Sequence, residues 1–140
     1  MANLENDIDR FIIAQDNRYN GYEQALNEIR DGKKVRHWIW YIFPQLRGLG
    51  YSRKSYYYGI KDNEEAWRYI MNPMLRDRMF EITEALLEHS DKTIVDILGH
   101  IDSMKVQSSM TLFDCVVSNS IFARVLQTFY NGEKDRQSIV

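Results

Sequence analysis

Cationic and aromatic side chains crowd one stretch of this chain. From Arg30 to Lys54, seven cations (Arg30, Lys33, Lys34, Arg36, Arg47, Arg53 and Lys54) stand against one acid, Asp31. Trp38, Trp40, Tyr41, Phe43 and Tyr51 lie among them, and Tyr56, Tyr57 and Tyr58 follow. Cations neutralise phosphate or carboxylate, and aromatic faces stack flat rings, worth about 1–3 kcal/mol per base. A nucleotide-like anion fits this composition. A buried aromatic helix with lysines and arginines along its solvated edge fits it too. His37 opens the aromatic run. It suits general acid–base work or donation to an anion, or it is a hydrogen-bonded core or rim histidine.

A second polar concentration runs from Asp102 to Phe113, with Asp102, Ser103, Lys105, Gln107, Ser108, Ser109 and Thr111. Hydroxyls compete for backbone hydrogen bonds and are unusual when clustered inside a helix. A ligand site explains the cluster, as does a helix end or a bend. No nucleophile elbow surrounds either serine, and no P-loop or Gly-x-Gly-x-x-Gly occurs. Gly48-Leu49-Gly50 alone is too short a signal. The single Cys115 excludes an internal disulfide and a Cys-based zinc cluster, and its apolar company reads as packing. His89 and His100 are isolated, so no metal site is expected. Glu64-Glu65 and the acids at 77–102 read as solvated helix faces.

The elements that must position these groups are helical. Asp7 can cap a first helix through Ile8, Phe11, Ile12 and Gln15. Tyr22, Ala25, Leu26 and Ile29 make one apolar stripe over 21–31, with Gly32 as its stop. His37 to Phe43 reads as a buried helix ended by Pro44, although periodicity alone also allows a buried strand. Gln45 to Arg53 reads as a loop whose glycines leave backbone N–H groups uncovered. Residues 37–60 carry the weakest signal, and Tyr56 to Ile60 could be extended. Asn63 starts a helix with Ala66, Trp67 and Ile70. Asn72-Pro73 caps the next, which repeats Leu75, Met79, Ile82 and Leu86. Asp91 can cap a short helix closed by Gly99, and Asp102 another reaching Phe113. A last helix runs from about Asn119 to near Gly132, with Ile121, Phe122, Val125, Leu126 and Phe129 inward. Alternating strand patterns are absent. The expectation is an all-α, single domain over 1–140, with six to eight helices around one aromatic-rich core.

Composition bounds the class. The 140 residues suit one domain, and 44% hydrophobic with 27% charged residues is a globular balance. Aromatics reach 13%, and the net charge is -2. That excludes a uniformly basic nucleic-acid coat but leaves a local basic patch open. From Lys61 to Ser103 ten acids face five bases, so the chain has an acidic stretch as well as a basic one. No run of about 18 apolar residues exists, so no membrane-spanning helix is expected. Met1 to Arg10 lacks the apolar core of a secretory signal, making a cytoplasmic location the default.

The run His37-Trp38-Ile39-Trp40-Tyr41-Ile42-Phe43-Pro44-Gln45-Leu46-Arg47-Gly48-Leu49-Gly50 resembles the signature of the domain of unknown function 1810 family, whose members often carry a calpastatin-like label. Lys105-x-x-Ser108-Ser109-Met110-Thr111-Leu112-Phe113 is similar to that family's second signature. Phe11-x-x-Ala14-Gln15, Tyr58-x-Ile60 and Pro73-x-Leu75 agree in order and spacing, so the resemblance covers essentially the whole chain. It implies a compact all-α, single-domain fold. Calpastatins inhibit through disordered repeats, whereas this chain reads as compact and repeat-free, so the inhibitor label carries little weight. The family commonly has a small hydroxyl residue before the first-motif His, where this chain has Arg36, and His before the Pro, where it has Asn72. A mechanism needing either side chain is put in question here.

Packing accounts for Trp, Phe, Leu and Met in both signatures. His37, Gln45, Lys105, Ser108, Ser109 and Thr111 are harder to account for that way, because buried polar groups cost free energy unless paired. Three readings compete. In the first, a pocket binds a phosphate-bearing, nucleotide-like small molecule without further cofactor. Arg47, Lys105 and the Gly48 and Gly50 backbone hold its anion, Trp38 or Tyr58 stacks its ring, and Gln45, Ser108 and Ser109, with Thr111 beside them, read its edge. This requires both signatures to face one pocket. In the second, a hydrolase or transferase acts on a nucleotide or ADP-ribose derivative, with His37 as acid or base and Asp102 or Lys105 positioning. In the third, exposed tyrosines at 56–58 form a protein-binding or homodimer face. Double-stranded DNA is not expected as a partner, since no helix-turn-helix pattern occurs.

Overall fold

The computed structural model describes residues 7–118 and 120–140. Within them, nine helices follow one another: α1 Asp9–Gln15, α2 Tyr22–Arg30, α3 Ile39–Ile42, α4 Arg53–Tyr57, α5 Asn63–Met71, α6 Pro73–Leu87, α7 Ile94–Leu98, α8 His100–Val116 and α9 Ile121–Tyr130. A 3-10 turn, Arg136–Ser138, closes the chain. The fold is all-α, with one or more helices beyond the expected number because α3, α4 and α7 are pieces of four or five residues. No strand forms among the described residues. Leu46 and Ile60 make an isolated parallel bridge, held by Arg47 N–H to Ile60 O at 2.8 Å and Ile60 N–H to Gln45 O at 2.9 Å.

Local chemistry explains most boundaries. Asn72 Oδ1 accepts from the N–H groups of Met74 and Leu75, both at 3.1 Å, and Pro73 occupies the first helical position. Leu75, Met79, Ile82 and Leu86 then fall on the buried stripe of α6. Four starts differ from the sequence reading by one to three residues. Ile8, not Asp7, is the residue before α1, and no side chain caps that helix. Asp62, not Asn63, caps α5, accepting from Glu65 N–H at 2.9 Å. Thr93, not Asp91, caps α7, accepting from Asp96 N–H at 3.1 Å. α8 starts at His100, directly after Gly99, whose φ of +84° only glycine adopts at little cost. Asp102 therefore sits in the first turn of α8 rather than capping it. Asn119, the expected start of the last helix, lies outside the described residues, as do Met1 to Asn6. α9 ends with Asn131 left-handed and Gly132 N–H returning to Leu126 O at 2.8 Å.

α8 lies centrally, packing against α5, α7 and α9, while α6 packs on α2, α5 and α9. Phe11, Trp38, Phe43, Tyr69, Phe113 and Phe122 are fully buried between them. Edge-to-face and tilted ring pairs connect them, such as Phe11–Tyr69 at 5.1 Å and Tyr69–Phe113 at 5.3 Å between centroids. No helix among the described residues is long and apolar enough to cross a membrane.

α3 is short because Phe43 leaves the helical region before Pro44, which disfavours helix in the residue preceding it. Tyr56 to Ile60 is not a strand: α4 runs to Tyr57, and only Ile60 is drawn out, against Gln45–Arg47. The 45–53 loop closes tightly on α4. A Cβ at Gly50 would stand 2.4 Å from Ser55 Oγ and 2.6 Å from Ser55 Cβ. Gly50→Ala is therefore expected to push the loop off α4 and to cost about 1–3 kcal/mol, read as a lower urea midpoint at unchanged slope.

Candidate ligand-binding pocket

Two segments remote in sequence meet at one concave site. The 45–55 loop supplies Gln45, Leu49, Gly50, Tyr51, Ser52 and Ser55. The exposed side of α8 supplies Ile101, Met104, Lys105 and Ser108, and the C-terminal turn adds Asp135 and Gln137. They enclose about 420 Å³, within the range of small-molecule sites. Both signature segments thus face one pocket. Its mouth is apolar: Tyr51 is wholly exposed, Ile101 69% and Met104 59%. Its floor is polar.

Gln45, Ser55 and Lys105 also line an inward chamber of about 10 Å³, walled by Ile39, Trp40, Phe43, Tyr58 and Gly59. Trp40 came from the first signature but was not singled out by the sequence. α3 turns Ile39, Tyr41 and Ile42 to the core and leaves Trp40 half-buried toward the pocket side. Its Nε1 is buried and has no hydrogen-bond acceptor among the described residues. Lys54 Nζ and Lys105 Nζ lie 4.8 and 5.3 Å from its ring centroid, within cation–π range. Lys105 is only loosely compensated. Asp102 Oδ1 stands 3.9 Å away, while the same carboxylate gives Oδ2 to Lys34 Nζ at 2.8 Å. Burial, and the neighbouring Tyr57, hold the Tyr58 phenol above its ordinary pKa, so it stays neutral. Burial likewise pushes Tyr41 up to about 12.

The remaining residues singled out in the sequence fall elsewhere. Trp38 is fully buried, its Nε1–H given to Glu28 Oε1 at 2.9 Å, so its faces belong to the core. Arg47 donates from Nε to Tyr56 O at 2.9 Å and lays its guanidinium 4.3 Å over the Tyr56 ring, outside the pocket. Gly48 is exposed at φ +100° and does not line the pocket. His37 is exposed at the start of its segment and lines neither pocket nor chamber. Tyr56 and Tyr57 flank the site without lining it.

The hydroxyl cluster of α8 divides by role. Thr111 Oγ1 donates to Gln107 O at 2.9 Å and accepts from Asp135 N–H at 3.0 Å. Ser108 Oγ meets Asp135 Oδ2 at 2.7 Å, and Ser138 Oγ meets the same oxygen at 2.6 Å. Ser108 and Thr111 thus strap the C-terminal turn onto α8, and that strap becomes a pocket wall. Ser109 is fully buried without a partner for Oγ among the described residues and does not line the pocket. Ser52, Ser55, Asp135 and Gln137 were not singled out. Their positions depend on the 45–60 pairing and on the strap, neither of which leaves a periodic signal.

A separate cleft of about 540 Å³ lies between the α1–α2 connection and α6. Part of its lining is internally paired: Arg78 donates to Asp16 at 3.0 Å and to Gln15 at 3.2 Å, and the Tyr22 hydroxyl donates to Glu81, while Arg18 and Glu23 also line it. Cys115 is half-buried with a free thiol.

Comparison with known proteins bears on the fold and the family. The crystal structure of the conserved hypothetical protein Rv1873 from Mycobacterium tuberculosis superposes with a TM-score of 0.90 at 38% identity. The match covers 96% of this chain and 94% of that one. No curated protein matches. The family model described as "Protein of unknown function (DUF1810)" matches residues 5–140, and the chain belongs to that family.

Proposed function

We propose that the chain is a small-molecule-binding domain whose pocket takes a phosphate-bearing, nucleotide-like ligand. The observation that carries this reading is Lys105. Lys105 lines both pocket and chamber, and Asp102, 3.9 Å from its ammonium, is already committed to Lys34. A charge so placed has donors to spare for a phosphate oxygen. Gln45 and Ser55 line both as well. The apolar mouth of Tyr51, Leu49, Ile101 and Met104 suits a flat ring, which replaces Trp38 and Tyr58 as the stacking surface. Acid–base catalysis by His37 draws no support from its place outside the pocket.

A thermal-shift screen against adenosine 5′-monophosphate, ADP-ribose and sugar phosphates tests this. A ligand at about 100 times its Kd adds roughly 2.7 kcal/mol, or about 8 °C for a chain of this size. Lys105→Met should fold, since Asp102 keeps Lys34, yet lose about 10- to 100-fold in affinity, as expected for a hydrogen bond to a charged group. A flat screen, or a shift that Lys105→Met leaves intact, contradicts the reading.

A further inference from the structure

Resting on that pocket reading, we infer that the chamber behind Lys105 is the seat of one terminal phosphate oxygen, and that Trp40 is the donor that holds it. The indole N–H of Trp40 is buried and has no acceptor among the described residues. Buried donors are almost always paired, and an unmet one signals either a missing partner or a functional role. The chamber that Trp40 lines measures about 10 Å³, room for about one oxygen atom or water and no more. A whole phosphate cannot enter it. A single terminal oxygen can, while the rest of the group stays in the larger pocket that shares Gln45, Ser55 and Lys105 with the chamber.

Charge favours an anionic occupant over water. Two ammonium groups, Lys54 and Lys105, flank the same indole ring. An oxygen carrying negative charge meets both their field and the N–H. The aromatic and backbone walls of the chamber supply no competing carboxylate. The Tyr58 phenol, held neutral, adds no negative charge. Charge and oxygen count then favour a phosphomonoester, with three terminal oxygens and close to two negative charges, over a diester, with two such oxygens and one charge. Trp40 is then a specificity-determining binding residue in which the ring serves the lysines and the N–H serves the ligand.

The test reads the indole resonances of 15N-labelled protein, which has three tryptophans, during titration with inorganic phosphate, adenosine 5′-monophosphate, adenosine and acetate. The expected result is a shift of the Trp40 indole signal with phosphate and the monophosphate but not with adenosine. Trp40→Phe, which keeps a ring beside the lysines, should weaken monophosphate binding about tenfold or more. If the monophosphate moves the α8 amides while the Trp40 indole stays fixed and Trp40→Phe binds as well as wild type, the inference is overturned and the pocket reading stands. Acetate moving the indole as strongly as phosphate overturns the phosphomonoester assignment. No response to phosphate or the monophosphate anywhere overturns both.

Discussion

Arg10→Met is expected to destabilise the protein by about 3–5 kcal/mol, because it strands a buried carboxylate. The Arg10 and Glu65 side chains are wholly buried and meet in a two-pronged pair, Nη2 to Oε1 at 2.7 Å and Nη1 to Oε2 at 3.2 Å. The other guanidinium hydrogens go to backbone carbonyls: Tyr57 O at 2.8 Å, Gly59 O at 2.9 Å and Asp7 O at 2.7 Å. One side chain thus fastens α1 to α5 and to the 57–59 turn. That turn carries Tyr58 and Gly59, which wall the chamber. Removing the guanidinium leaves Glu65 with Lys61 N–H at 3.1 Å and Arg68 at 3.7 Å. Thermal melts should show a fall of roughly 10–20 °C. The double variant Arg10→Met/Glu65→Leu should recover part of it, since an apolar pair leaves no unpaired charge. Equal losses in single and double variants would mean that the carbonyl contacts, not the ion pair, dominate.

Glu28→Gln is expected to cost about 2–4 kcal/mol and to flatten the acid limb of the stability profile. Glu28 lies on α2 and gathers the segment leading into the first signature. Its Oε1 accepts from Val35 N–H at 2.7 Å, Arg36 N–H at 2.9 Å and Trp38 Nε1–H at 2.9 Å, and its Oε2 from Arg36 Nη1 at 2.9 Å. Burial alone would raise its pKa. The hydrogen bonds from the Arg36 and Val35 backbone, Trp38 and the Arg36 side chain outweigh burial and hold it below the ordinary value of 4.5. A carboxylate depressed in the folded state binds its proton more readily when unfolded. Its stabilisation is therefore complete above about 4.5 and is lost as pH falls through the lower folded value. Urea titrations from pH 7 to 3 should show wild type losing this increment over that acid range. The glutamine variant should start lower and change less. Identical pH slopes for the two proteins would contradict the role given to Glu28. This carboxylate also accounts for Trp38 as an anchor rather than a stacking platform, and it pairs Arg36.

Long helices were legible because burial imposes period. The stripe Leu75, Met79, Ile82 and Leu86, and the Asn72-Pro73 start, follow from chemistry within one helix. The cap positions at Asp62 and Thr93 were missed by one or two residues because several polar side chains compete at each start, and only backbone geometry picks the one that accepts. Residues 37–60 were least legible. Their shape depends on the Leu46–Ile60 bridge, the Gly50–Ser55 approach and Arg10, contacts made between segments rather than within one helix. The site was partly legible for the same reason. Of the residues expected at a site, Gln45, Gly50, Lys105 and Ser108 line the pocket and Tyr58 its chamber, whereas His37, Trp38, Arg47, Gly48, Ser109 and Thr111 line neither. Trp38 and Trp40 are two residues apart, and composition could not say which faces inward. Thr111 and Ser108 were polar for a reason internal to the fold, the strapping of the C-terminal turn by Asp135.

The most direct measurement is a 1H–15N titration of the wild-type protein with adenosine 5′-monophosphate, following backbone amides throughout the chain. The account predicts saturable shifts concentrated in residues 45–55, 101–108 and 135–137. Shifts concentrated instead around Gln15–Gln24 and Arg78, or no shifts at millimolar ligand, would contradict it.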